Sequence, residues 1–154
     1  MAAHTRNTKI LAVASGGGHW IQLLRLRPAF AGCRVTYATV NPGSRADVPG
    51  CAFHTVPDGN RDTKAALIFM ALRILILVLL VRPHVVVSTG AAPGYFACRF
   101  AKLVGAKSLF IDSVANAEDM SLSAKLATSH ASRVYSQWPR VADKFGVECH
   151  GSVL

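Results

Sequence analysis

Short apolar runs rich in β-forming residues alternate along this chain with segments whose apolar positions have helical spacing. This pattern predicts strands at residues 10–14, 33–40, 51–56, 84–88, 107–111, 134–137 and 147–150. Helices are predicted over residues 20–26, 65–81, 95–104 and about 121–130, and from Pro139 onward. Because strand and helix alternate throughout, we predict an α/β protein with a Rossmann-like, doubly wound parallel sheet.

The composition constrains the surface of this predicted domain. The length of 154 residues predicts one domain over residues 9–154, after a disordered N-terminus at residues 1–8. Hydrophobic residues make up 51% of the chain, charged residues 16%, and the mean hydropathy is +0.33. Such an apolar chain is expected to place part of its surface against a membrane or a partner protein.

The net charge and the cysteines weigh against some classes of function. The formal charge of +9 favours an anionic partner, and because the lysines and arginines form no run, a nucleic-acid partner is not expected. The four cysteines lie far apart, and the six histidines show no metal-binding spacing. The sequence therefore predicts no metal site, no cofactor and free cysteine thiols.

The segment from Ala65 to Val81 is apolar at every position except Arg73. A membrane-spanning helix needs about 20 apolar residues, and a central charge costs at least ~2.5 kcal/mol there, so spanning is disfavoured. Two interpretations remain. The segment is either a crossover helix buried on the sheet, or a crossover helix whose outer side enters a bilayer surface with its arginines at the headgroups. The near absence of a polar face favours the membrane contact.

Two glycine-rich turns follow predicted strands, and both are therefore expected at the carboxyl edge of the sheet, where such folds bind ligands. The candidate ligand-binding residues in them are Gly16, Gly17, Gly18, Ser88, Thr89, Gly90 and Gly94. The third position of a dinucleotide fingerprint falls on Ile21, and no carboxylate ends the second strand, so nicotinamide or flavin binding is disfavoured. No lysine follows the glycines, which excludes a P-loop.

His19 and Asp112 are the titratable residues expected at this edge. His19 is either a general base, because its ordinary pKa lies near neutral pH, or a residue that closes the turn by bonding the second loop. Asp112 ends a predicted strand and either faces the cleft with Ser113 or fixes the following loop. A serine hydrolase triad has no support, because the sequence lacks a GxSxG elbow.

The last third of the chain carries distinctive motifs. These are Ile111-Asp-Ser-Val-Ala-Asn-Ala-Glu-Asp-Met-Ser-Leu-Ser-Ala-Lys125, Ser132-Arg-Val-Tyr-Ser-Gln-Trp-Pro139 and Gly151-Ser-Val-Leu. The chain resembles the membrane-anchoring subunit of the bipartite UDP-N-acetylglucosamine transferase of lipid-linked oligosaccharide synthesis, and its bacterial exopolysaccharide counterparts (PssD-like proteins). The glycine-rich turns fall where that family has its own. The family usually has arginine where Asn116 stands and glycine where Ala124 stands, so a diphosphate contact from that loop is in doubt.

The resemblance implies the N-terminal half of a GT-B glycosyltransferase, which recruits a catalytic partner carrying the UDP-sugar site. It also implies a polyprenyl-diphosphate-linked sugar acceptor and a location on the cytoplasmic face of the membrane. Gln137 and Trp138 are the residues expected to contact the partner; their alternative role is core packing. Two other functions remain open: a self-sufficient nucleotide-sugar transferase, and a purely structural membrane recruiter.

Overall fold

The computed structural model describes residues 7–59 and 62–153 of the chain. Its strands are β1 (Lys9–Val13), β2 (Arg34–Thr39), β3 (Ala52–Thr55), β4 (Val85–Ser88), β5 (Lys107–Ile111) and β6 (Arg133–Tyr135). Its α-helices are α1 (Gly18–Arg25), α2 (Lys64–Val81), α3 (Ala91–Ala101), α4 (Leu122–Ala127) and α5 (Pro139–Phe145). Three 3-10 turns cover Arg27–Phe30, Pro42–Asp47 and Lys102–Val104. Most of the N-terminus predicted to be disordered, residues 1–6, lies outside the described residues.

The six strands form one parallel sheet in the order β3-β2-β1-β4-β5-β6. The chain moves outward from β1 to β3, crosses back along α2 to β4, and then moves outward again to β6. This reversal of strand order between β1 and β4 is the switch point at which doubly wound sheets bind ligands. The predicted fold class is therefore confirmed.

Two predicted elements differ from the structure. The strand at residues 147–150 is wrong, because this segment makes only one isolated bridge, between Tyr135 and Glu148. The chain then leaves the sheet, since the Val153 N–H donates to the side chain of Gln137 rather than to a strand. Helix α3 begins at Ala91, four residues before the predicted start, and Pro93 is tolerated because the first turn of a helix needs no N–H at that position.

The ends of the other helices follow the sequence signals. Ser121 accepts a 3.0 Å hydrogen bond from the Ala124 N–H and begins α4. Pro139 occupies the first position of α5, as predicted. Helix α4 ends at Ala127, three residues before the predicted end.

Each face of the sheet has its own apolar core. Leu11, Val13, Val86 and Phe110 point to the face covered by α2, α3, α4 and α5. The alternate residues Ile10, Ala12, Tyr37 and Val87 point to the face covered by α1 and the first two 3-10 turns. This alternation follows from the two-residue period of a strand.

Candidate functional site

Two glycine-rich loops meet at the carboxyl edge of the sheet. β1 pairs with β4 in parallel, with Val13 opposite Ser88, so the loops that follow these two strands are neighbours. The first loop enters α1 through Gly17, whose φ of +64° belongs to the left-handed region that favours glycine. A Cβ atom at Gly17 or Gly18 would meet none of the described atoms within 4 Å, so the loop is open on that side.

His19 and Thr89 fasten the two loops to each other. His19 Nδ1 lies 3.0 Å from the Thr89 carbonyl oxygen, and the Thr89 hydroxyl donates a 2.5 Å hydrogen bond to the His19 carbonyl oxygen. Because a carbonyl oxygen only accepts, this bond assigns a proton to Nδ1, so the lone pair of a neutral ring lies on Nε2. The two roles predicted for His19 are therefore compatible: one ring nitrogen closes the turn, and the other has the lone pair that a base requires.

The close approach of the loops depends on Gly90 and Gly94. A Cβ atom at Gly90 would lie 2.4 Å from His19 Nδ1, and the φ of +139° at Gly90 is one that other residues rarely adopt. A Cβ atom at Gly94 would lie 1.7 Å from Ser88 Oγ, which itself accepts a 3.1 Å hydrogen bond from the Gly90 N–H. Ser88 and Thr89 are fully buried, so their side chains shape the second loop from inside.

Helices α1 and α3 both begin at these loops, and neither has an acidic residue in its first turn. Their N-cap residues are glycines, which have no side chain to accept hydrogen bonds from the first-turn N–H groups. Such N–H groups carry partial positive charge and bind anions. The paired loops can therefore bind an anionic group such as a phosphate.

Asp112 directly follows β5 at the same edge and holds the loop after that strand. Its carboxylate accepts hydrogen bonds from the Ser113 N–H (3.0 Å), the Asn116 side-chain amide (2.9 Å) and the Ser121 N–H (2.9 Å). The side chain is almost fully buried. Of the two roles predicted for Asp112, this geometry favours fixing the loop.

Gln22 is a buried residue beside the candidate site that sequence reasoning missed. It lies buried on α1, where its amide donates to Ser113 Oγ (3.2 Å) and its carbonyl oxygen accepts from Gln137 Nε2 (2.6 Å) and the Val114 N–H (3.2 Å). Gln137 also donates to the Asp112 carbonyl oxygen at 2.8 Å. This network joins α1, the loop after β5 and the end of β6, although its members are far apart in sequence.

Trp138 and Gln137 differ in their exposure. Gln137 is 4% exposed and belongs to the interior network, whereas Trp138 is 37% exposed and donates a 2.7 Å hydrogen bond to the Val114 carbonyl oxygen. Both line a cavity of about 520 Å³ between the start of α5 and the chain segment around Cys149 and Gly151. Because Gln137 and Trp138 follow the carboxyl end of β6, this cavity lies at the same edge of the sheet as the glycine loops.

The titratable groups with shifted pKa values lie away from the loops. Burial raises the pKa of the Cys98 thiol to about 12, and a hydrogen bond to Ser108 offsets this in part. The Lys125 ammonium bonded to Asp119 lowers the pKa of that surface carboxyl. Over residues 7–59 and 62–153 the structure contains no group of three side chains that could hold a metal ion.

No known protein-family profile matches this chain. The chain is similar to the UDP-N-acetylglucosamine transferase subunit ALG14 of Yarrowia lipolytica, with 22% identity over 177 residues that cover 96% of this chain and 82% of that protein. The resemblance predicted from the motifs of the last third of the chain is thereby confirmed.

Solved structures provide the corresponding likeness in fold. MurG of Acinetobacter baumannii superposes with a TM-score of 0.69 at 14% identity, covering 87% of this chain and 43% of MurG. A UDP-GlcNAc 2-epimerase from Methanocaldococcus jannaschii has a TM-score of 0.68 at 14% identity, covering 92% of this chain and 43% of the epimerase. The fold is that of a GT-B N-terminal half. The chain thus spans less than half the length of these solved chains. The similarity to ALG14 supports a glycosyltransferase-related subunit, and the solved structures support the fold.

Proposed function

We propose that this chain is one subunit of a membrane-associated glycosyltransferase, and that a separate catalytic partner carries the UDP-sugar site. One observation carries the proposal: the similarity to a UDP-N-acetylglucosamine transferase subunit extends over 96% of the chain and 82% of that subunit. The fold agrees with it, because the superposition covers 87% of this chain but only 43% of MurG. We expect the reaction to serve oligosaccharide or exopolysaccharide assembly.

The paired glycine loops are the proposed acceptor site. A polyprenyl-diphosphate-linked sugar carries negative charge next to its first sugar, and the uncapped starts of α1 and α3 supply N–H groups for such an anion. Gly16, Gly17, Gly18 and Ser88–Gly94 form the walls of this site. Asp112 and Ser113 support it from the neighbouring strand through the loop after β5.

His19 is the proposed base of the assembled enzyme. Transfer of a sugar requires removal of a proton from the acceptor hydroxyl, and the Nε2 lone pair of His19 can accept it. The bond from Nδ1 to the Thr89 carbonyl fixes the ring orientation that this role needs. The donor sugar would approach from the partner, so the site is complete only in the complex.

The partner is proposed to dock next to Trp138, beside the cavity at the start of α5. Trp138 is half-exposed and anchored through its indole N–H, and a rigid, partly exposed tryptophan is a common anchor of protein interfaces. Gln137 is buried and donates to the Asp112 carbonyl oxygen, so its proposed role is to hold the segment that carries Trp138 rather than to contact the partner directly. The complex is proposed to lie on the cytoplasmic face of the membrane, with α2 toward the bilayer.

Calorimetric titration with UDP tests the division of labour between the subunits. We expect no binding to the purified chain, and binding to the complex isolated from the native host through a tag on this chain. A Trp138→Ala chain should recover less of the UDP-binding complex, whereas an exposed control such as Arg34→Gln should recover all of it. Tight UDP binding by the chain alone would instead support a self-sufficient transferase.

A further inference from the structure

Helix α2 exposes an apolar side along its whole length. Its buried stripe consists of Met70, Ile74, Leu77 and Val78, which pack on the sheet. Its exposed large residues are Ile68, Phe69, Leu72, Ile76, Leu79 and Leu80, each between 42% and 76% exposed. The helix is long and apolar enough to cross a membrane by composition, but it joins two strands of one sheet and packs along that sheet. Its outer side therefore needs a partner surface rather than a spanning position.

Cations border this apolar side. At about 100° per residue, the six exposed residues of α2 fall within an arc of about 120°, with Lys64 beyond one border and Arg73 beyond the other. Arg82 ends the helix, and the adjoining 3-10 turn adds Lys102 and the 64%-exposed Leu103. We define the docking face as the six exposed α2 residues with Leu103 and these four cations.

No carboxylate lies in this part of the chain. Residues 63–111 contain six lysines and arginines and neither aspartate nor glutamate, although the whole chain has eight acidic residues. The run includes α2, β4, α3, the third 3-10 turn and β5. None of the residues of the docking face is acidic, and its positive border is complementary to an anionic surface.

We propose that the docking face binds the surface of a bilayer rich in anionic phospholipid, with α2 lying in the membrane plane. The apolar arc enters the boundary between headgroups and acyl chains, and the four cations contact lipid phosphates. This proposal rests on the membrane location proposed above and specifies its lipid chemistry. Because α2 follows the carboxyl end of β3, its first turn lies at the edge that holds the glycine loops. The orientation therefore places the acceptor site next to the lipid headgroups.

Vesicle flotation with two lipid compositions tests the lipid chemistry. The probes are neutral phosphatidylcholine vesicles and vesicles in which one third of the lipid is phosphatidylglycerol. The parent chain should partition far more strongly to the anionic vesicles. An Arg73→Gln/Arg82→Gln/Lys102→Gln variant should lose about 100-fold of that partitioning, since each cation near an anionic surface contributes about a fivefold factor.

The matched control replaces three exposed cations of other elements, Arg25→Gln/Arg34→Gln/Arg45→Gln, and should bind the anionic vesicles within a few-fold of the parent. An Ile68→Asn/Leu80→Asn variant should bind both kinds of vesicle less well. Because all substituted residues are exposed, circular dichroism and thermal melting should match the parent. Salt at 1 M, where the screening length is about 3 Å, should remove the preference for anionic lipid.

Equal partitioning of the parent to both vesicles, or equal losses in the two triple variants, would overturn the proposal. If the parent chain binds neither kind of vesicle and the Ile68→Asn/Leu80→Asn variant no longer forms the native complex, the docking face binds a protein partner instead. The UDP titration of the complex in detergent is independent of these results. The glycosyltransferase proposal can therefore fail while the lipid proposal stands, and the lipid proposal can fail while the glycosyltransferase proposal stands.

Discussion

Replacing Gly94 by alanine tests how closely α3 approaches the end of β4. The added Cβ would lie 1.7 Å from Ser88 Oγ and 2.7 Å from Ser88 Cβ, whereas ordinary contacts begin near 3.4 Å. Rotation of the hydroxyl relieves the first overlap but not the second, so α3 must shift. Overpacking of this kind costs about 1–3 kcal/mol, and loss of the bond from the Gly90 N–H to Ser88 adds about 1 kcal/mol.

Alanine's better helix propensity returns up to about 1 kcal/mol, so Gly94→Ala should lower the free energy of unfolding by about 2 kcal/mol. Urea unfolding measures this as a lower midpoint at an unchanged m-value. Gly18→Ala is the matched control, because its Cβ meets none of the described atoms within 4 Å, and it should leave the midpoint nearly unchanged.

A second substitution at Ser88 separates the overlap from a general helix effect. Ser88→Gly removes both overlapping atoms. The free energy of unfolding of the double variant Ser88→Gly/Gly94→Ala should therefore exceed, by about 1 kcal/mol or more, the value expected from adding the two single effects. If Gly94→Ala unfolds at the parental midpoint, or if the two substitutions are additive, the close packing of α3 on β4 described above is incorrect.

Three further predictions concern the site and the core. Gly90→Ala should displace the His19 ring, because its Cβ would lie 2.4 Å from Nδ1, and should shift the His19 resonances in NMR spectra while the chain stays folded. Asp112→Asn should lower the free energy of unfolding by about 2 kcal/mol in urea, since an amide nitrogen cannot accept the bonds that hold the loop after β5. Cys98, with a pKa raised to about 12 by burial, should react with Ellman's reagent only on unfolding, whereas the half-buried Cys33 should react in the native chain. Unchanged His19 resonances in Gly90→Ala would contradict the first prediction, and parental stability of Asp112→Asn would contradict the second. Labelling of Cys98 in the native chain would contradict the third.

The sheet could be predicted from the sequence because each strand is a short apolar run between turn residues. The start of α3 could not, since residues 89–94 have the composition of a loop. The helix begins there because Gly90 adopts its unusual φ and Gly94 lets the helix approach Ser88. The approach of Gly94 to Ser88 is a contact between α3 and β4, which the composition of the turn does not reveal.

The position of the candidate site was predictable, but its internal connections were not. His19 and Asp112 follow strand ends, and the carboxyl edge of a parallel sheet brings such residues together. The Gln22–Gln137 pair gave no signal, because a glutamine on a short helix usually faces solvent. Only the tertiary fold shows that 115 residues of chain separate two amides that lie 2.6 Å apart.

Sugar transfer measured on the chain alone and in its native complex tests the proposed function most directly. The assay follows N-acetylglucosamine from radiolabelled UDP-N-acetylglucosamine to a polyprenyl-diphosphate-linked sugar in detergent. We predict no transfer by the purified chain, transfer by the complex, and strongly reduced transfer by a complex that contains His19→Gln. Transfer by the purified chain, or a complex whose rate is unaffected by His19→Gln, would contradict the assignment of this chain as the acceptor-binding half of a two-subunit enzyme.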